Sequence, residues 1–166
     1  MAVPVPDSVD YVLLDEDTIQ NRVQEMADEI SRDYAGFSNE EFLLVGVLKG
    51  SFIFLADLAR RLTVAHRVDF IALSSYEDKA EASGAVRMIM DTRADVAGRH
   101  ILIVEDIVDT GNTLNYLYRV FQARQPASLR TAALLSKPDR REVDVSLHYE
   151  GFNIPVCYRG HTFAIL

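Results

Sequence analysis

Residues Ile101 to Thr113 read ILIVEDIVDTGNT, and this stretch decides the fold. Its opening, Ile101–Val104, is apolar and β-branched, the mark of a strand buried on both faces. Three carboxylates, Glu105, Asp106 and Asp109, then leave the strand and meet a turn, Thr110-Gly111-Asn112-Thr113. Leu114, Leu117, Tyr118 and Phe121 follow at helical spacing, so the turn opens a helix.

The same alternation extends in both directions. Asp15 or Asp17 can cap a helix running to about Tyr34, with Ile19, Val23, Met26, Ala27 and Ile30 on one face. Phe42–Leu48 is a continuous apolar run that predicts a buried strand, and Ser51 opens an amphipathic helix over Phe52–Leu62. Val68–Leu73 reads as the next strand. Ser74–Ala85 is polar and aperiodic, a mobile loop over about residues 74–86, and Val86–Met90 is a short strand returning from it. Leu129–Leu135 is a further buried strand, and Val143–Ile154 adds one or two short ones. Strands alternating with helices predict an α/β fold, a mainly parallel sheet flanked by helices. Ligands bind such sheets at the carboxyl ends of the strands, which brings Lys49-Gly50-Ser51, Ser74–Ala85 and Glu105–Thr113 to one edge. No repeat, low-complexity tract or linker interrupts the pattern, so residues 1–166 are expected to form a single domain.

Composition narrows the function. With 166 residues and 49% hydrophobic content there is material for one sizeable core. The formal net charge of −8 argues against a nucleic-acid partner, which needs a basic surface. One cysteine, Cys157, excludes an internal disulfide framework and a Cys-rich zinc site. The start, MAVPVPDSVDYV, has no basic segment before an apolar run, and the apolar stretches are too short to span a bilayer. A cytoplasmic protein without a membrane partner is the expectation.

The loop carries the chemistry. A helix start exposes free N–H groups and partial positive charge, Gly111 allows close backbone approach, and Thr110 and Thr113 add hydroxyls, so a phosphate fits there. Glu105 and Asp106 repel that phosphate but can accept hydrogen bonds from sugar hydroxyls, directly or beside a magnesium ion. Phosphate donors and acids in one loop suggest a phosphorylated sugar. The plainer alternative is that Asp109 and Thr110 merely cap the helix. Neither a GxxxxGK[ST] nor a GxGxxG phosphate motif is present.

VEDIVDTGNT resembles the phosphoribosyl-pyrophosphate motif of type I phosphoribosyltransferases. The wider order LVGVLKGSFIFLADL, VDFIALSSY, ILIVEDIVDTGNTL, LLSKPDRRE and GFNIP resembles the hypoxanthine-guanine branch, over roughly Asp10 to Pro155. The resemblance implies the type I fold with a small hood from about residue 137 onward. It also implies purine salvage: magnesium-dependent transfer of phosphoribosyl from phosphoribosyl pyrophosphate to N9 of a 6-oxopurine, releasing pyrophosphate. Glu105 and Asp106 would hold the ribose hydroxyls and, through these or water, the Mg2+. Asp109 would act as general acid/base near N7, and Thr110, Gly111, Asn112 and Thr113 would bind the 5′-phosphate.

By the same resemblance Lys137 would donate to the purine 6-oxo group, where the residues alone would suggest a surface lysine. Lys49-Gly50 matches a loop with a non-proline cis peptide that turns N–H groups toward pyrophosphate; read alone, Gly50 is a turn and Ser51 a helix cap. Ser75 and Tyr76 match the tip of a mobile loop that closes over the reacting centre. Family members form homodimers or homotetramers. After Pro155 the likeness lapses into an atypical, shortened C-terminus. Tyr158 falls where the family stacks an aromatic on the purine, but the aspartate for a second magnesium and an arginine for pyrophosphate have no equivalent. A nucleotide-binding regulator, or an inactive truncated isoform of the same fold, is the competing reading.

Overall fold

A computed structural model describes residues 11–75, 86–155 and 163–165. A short strand β1 (Tyr11–Leu14) leads into helix α1 (Glu16–Asp33), whose N-cap Asp15 accepts from Thr18 N at 2.8 Å. Strand β2 (Phe42–Leu48) and helix α2 (Phe52–Arg61) follow, then strands β3 (Arg67–Ser75), β4 (Val86–Met90) and β5 (His100–Val108). Helix α3 (Asn112–Gln122), strand β6 (Ser128–Ser136), a 3-10 turn (Pro138–Arg140) and strands β7 (Tyr149–Asn153) and β8 (Phe163–Ile165) complete the order.

Six strands form one sheet in the order β4-β3-β2-β5-β6-β7, and every pair is parallel except β3 with β4. The continuous apolar runs are explained by cover on both faces. Phe42 and Leu44 of β2 and Leu102 and Val104 of β5 pack with Ile19, Met26, Ile30, Leu55 and Leu58 of α1 and α2. The intervening Leu43, Val45, Ile101 and Ile103 pack with Leu114, Leu117 and Phe121 of α3. Alternate side chains point to opposite faces, so each strand supplies both cores. Chain order reverses at β2, which lies between β3 and β5; that switch point opens a crevice beyond the strand ends.

Several expectations are corrected. Strand β5 runs to Val108, because Ile107 and Val108 stay in register with Leu135 and Ser136 of β6. Glu105 and Asp106 therefore stand on the strand end and not in the loop. Strand β3 continues through Ser75, paired with Val86, so the expected loop cannot begin at Ser74. Ser51 makes no side-chain cap; its Oγ donates to Val47 O at 2.7 Å. Between Val143 and Ile154, where one or two short strands were expected, there is one, β7, in keeping with that expectation. The pairing of β1 with β8, parallel and separate from the main sheet, was not foreseen. Among the described residues no helix is long and apolar enough to cross a membrane.

Candidate active site

The carboxyl ends of β2, β3, β5 and β6 meet at one edge, and the crevice there is a cleft of about 280 Å³. Val47, Gly50, Ser74, Glu105, Asp106 and Thr113 are among its walls. A second hollow of about 90 Å³ shares Glu105 and Thr113 and extends over Asp109, Thr110 and Gly111.

Glu105 is 6% exposed. Burial pushes its carboxyl well above the usual carboxylate range, and the charge of Asp106 pushes the same way. Nothing among the described residues draws it down: neither a hydrogen-bond donor nor a cation opposes the burial. Asp106, the next residue, lies against the loop that follows β2. A Cβ on Gly50 would fall 2.2 Å from Asp106 Oδ2 and 2.5 Å from its Cγ, so only glycine leaves this carboxylate its place. The peptide bond entering that loop, Leu48–Lys49, is cis. Lys49 is exposed beside it.

Gly111 is the N-cap of α3 with φ +90°, a left-handed conformation, and has no side chain with which to cap the helix. Asp109 makes no cap, its carboxylate meeting Arg140 instead, while Thr110 Oγ1 accepts from Asn112 N at 3.4 Å; the next N–H groups of the first turn are left for a ligand. A Cβ on Gly111 would also meet Val143 O at 2.6 Å. Thr110 O accepts from Glu142 N at 2.9 Å and Val143 N at 3.2 Å, while Asn112 Nδ2 donates to Glu142 Oε2 at 2.9 Å.

Sequence reasoning treated the residues after Lys137 only as context, yet they fasten the turn. Lys137 N donates to Val108 O at 3.0 Å. Arg141 Nη1 donates to the carbonyls of Val108, at 2.8 Å, and Asp109, while its Nη2 reaches the buried Ser136 Oγ at 2.8 Å. Arg140 Nε meets Asp109 Oδ1 at 3.0 Å. The available signal was the pair of arginines in LLSKPDRRE, directly after a strand that neighbours β5.

The structure thus gathers Gly50, Glu105, Asp106, Asp109, Thr110, Gly111 and Thr113 at one cleft or its immediate margin. Asn112 faces Glu142, Lys137 follows the end of β6, and Ser75 ends β3. Tyr76 and Tyr158 lie outside the described residues. No group of three or more metal-ligating side chains occurs among the described residues, and the two adjacent acids are the candidate cation donors.

Comparison with known proteins gives the family. Residues 13–162 match the phosphoribosyl transferase domain model. The chain is 44% identical over 153 residues to the hypoxanthine-guanine phosphoribosyltransferase of Mycobacterium avium, covering 90% of this chain and 75% of that protein. It is 42% identical over 144 residues to the hypoxanthine phosphoribosyltransferase of Escherichia coli, covering 87% and 80%. Among solved structures, the Trypanosoma cruzi hypoxanthine phosphoribosyltransferase in complex with the product IMP superposes with a TM-score of 0.83 at 45% identity, over 92% of this chain and 84% of that one. The chain belongs to the phosphoribosyltransferase family of enzymes, in the branch of the hypoxanthine-guanine phosphoribosyltransferases.

Proposed function

We propose that the protein serves purine salvage, transferring phosphoribosyl from phosphoribosyl pyrophosphate to N9 of hypoxanthine or guanine, giving IMP or GMP and pyrophosphate. The observation that carries this reading is the sharing of one cleft by the Glu105–Asp106 pair and the start of α3. A sugar phosphate needs both: hydroxyl acceptors for the ribose and N–H donors for the 5′-phosphate.

Glu105 and Asp106 accept the ribose hydroxyls. Their negative charge favours the positive charge that builds on the ribose as the C1–oxygen bond to pyrophosphate breaks. Thr110, Gly111, Asn112 and Thr113 hold the 5′-phosphate. Lys49 and Gly50 take the pyrophosphate end, and Ser75 and Tyr76 are the candidate cover of the reacting centre. Lys137 donates to the 6-oxo group and Tyr158 is the candidate stacking partner. As N9 bonds to C1, Asp109 takes the proton that the purine gives up at N7. A magnesium ion suits the Glu105–Asp106 side, where a buried acid lacks any compensating cation among the described residues. Glu105 and Asp106 would hold it, and it would supply positive charge beside the substrate's phosphates.

The test is direct. The purified chain is given phosphoribosyl pyrophosphate, magnesium and hypoxanthine, guanine, xanthine or adenine in turn. Nucleotide is expected from the 6-oxopurines, none from adenine, and a loss of about 10²- to 10⁴-fold in Asp109→Asn. Ligand binding without turnover would overturn the proposal. Exposed Phe52 and Ile53 at the start of α2 offer an apolar surface for self-association as a dimer or tetramer, which light scattering would measure.

A further inference from the structure

We infer that Arg140 is a positioning residue that holds the carboxylate of Asp109 in the empty enzyme and yields it to the incoming purine, and so sets the affinity for the base. This rests on the reading of Asp109 as the partner of the purine.

The guanidinium addresses both carboxylate oxygens, Nε to Oδ1 at 3.0 Å and Nη2 to Oδ2 at 3.4 Å. The two donors take one lone pair on each oxygen and fix the orientation of the carboxylate, so a ring N–H that arrives on the same edge has to displace one of the contacts. The pair is weak enough for that. Its side chains are 50% and 41% exposed, where water screens the attraction.

The surrounding turn does not depend on Arg140. Arg141 holds the carbonyls of Val108 and Asp109, and the backbone N–H groups of Glu142 and Val143 hold Thr110 O. Removing the Arg140 side chain therefore frees the carboxylate while the loop stays fastened. Arg140 is also the one member of this set whose only recorded side-chain contacts among the described residues go to Asp109.

The experiment compares the full chain with Arg140→Ala and Arg140→Lys under saturating phosphoribosyl pyrophosphate and magnesium. In Arg140→Ala the KM for hypoxanthine is expected to fall about two- to fivefold, the range an exposed ion pair can supply, while kcat moves less than twofold. Arg140→Lys, which keeps the charge but loses the fork, should fall between that variant and the parent. A purely structural role for Arg140 would lower kcat and the melting temperature together and would not tighten the base. A KM that is unchanged or raised in both variants overturns the inference. Asp109→Asn separates the two levels. Substantial turnover in that variant would sink the acid/base assignment and this inference with it. An inactive Asp109→Asn beside an unchanged KM in the Arg140 variants would overturn only the inference.

Discussion

Gly50→Ala is the sharpest test of how the cleft is built. The added Cβ would lie 2.2 Å from Asp106 Oδ2 and 2.7 Å from Oδ1, where ordinary contact begins at 3.4 Å. One of the two must retreat by roughly 1 Å, and the aspartate side chain is the softer partner. If Asp106 holds a ribose hydroxyl, a misplacement of that size is expected to cost about 100-fold in kcat/KM, roughly 2.7 kcal/mol of transition-state stabilisation. Stability should not follow. Gly50 is exposed, no positive φ marks it, and alanine restricts the unfolded chain, which favours folding by about 0.4–1 kcal/mol. The assay is initial velocity with varied phosphoribosyl pyrophosphate, alongside thermal melting. Asp106→Ala and the double variant complete a cycle: if the loss passes through Asp106, Gly50→Ala adds nothing once that carboxylate is gone. A Gly50→Ala enzyme within threefold of the parent, or a further fall in the double variant, would refute the reasoning.

Three further outcomes are expected. Burial raises the folded pKa of Glu105, so the stability tied to its neutral form is complete below the unfolded value near pH 4 and is lost as pH rises through the folded value, at about 1.4 kcal/mol for each pH unit between the two. Urea titrations of metal-free protein should show Glu105→Gln gaining on the parent as pH rises from 4 to 8; a parent that gains instead contradicts the burial argument. Arg141→Gln loses charge-assisted bonds to two carbonyls and Ser136, and about 1.5–3 kcal/mol of stability with them, together with a raised KM for phosphoribosyl pyrophosphate. Lys137→Met should raise the KM for hypoxanthine about tenfold or more while leaving that for phosphoribosyl pyrophosphate within twofold, as the loss of one charged donor to the base requires.

What the sequence disclosed was whatever depends on neighbours along the chain. The face of α1, the bounds of β2 and the return strand β4 all follow from spacing within a dozen residues. The end of β5 did not, because Glu105 and Asp106 break the apolar run while the backbone ladder to β6 continues regardless of side chain. The fastening of the turn was hidden for another reason. Asp109 and Arg140 are 31 residues apart, and no local pattern shows that the strand order lays β6 beside β5. The same holds for β1 and β8, drawn from opposite ends of the chain. Site residues were legible as a motif; their supports were legible only as a fold.

That fold explains how acids and phosphate donors can share one site. Helices α2 and α3 lie on opposite faces of the sheet, yet both begin at its carboxyl edge, and neither N-cap residue supplies a side-chain cap. Each start offers N–H groups and partial positive charge. Between them stands the end of β5, where successive side chains alternate: Glu105 lines both hollows, and Asp106 turns to Gly50 before α2. On the proposed reading the substrate carries phosphate at both ends of a ribose. One end suits the start of α3, the other the loop before α2, and the hydroxyls fall over the acids between. The alternation of one strand turns the two acids apart, Glu105 toward the start of α3 and Asp106 toward the loop before α2, and the ligand that fits is one whose hydroxyls lie between its two phosphate ends.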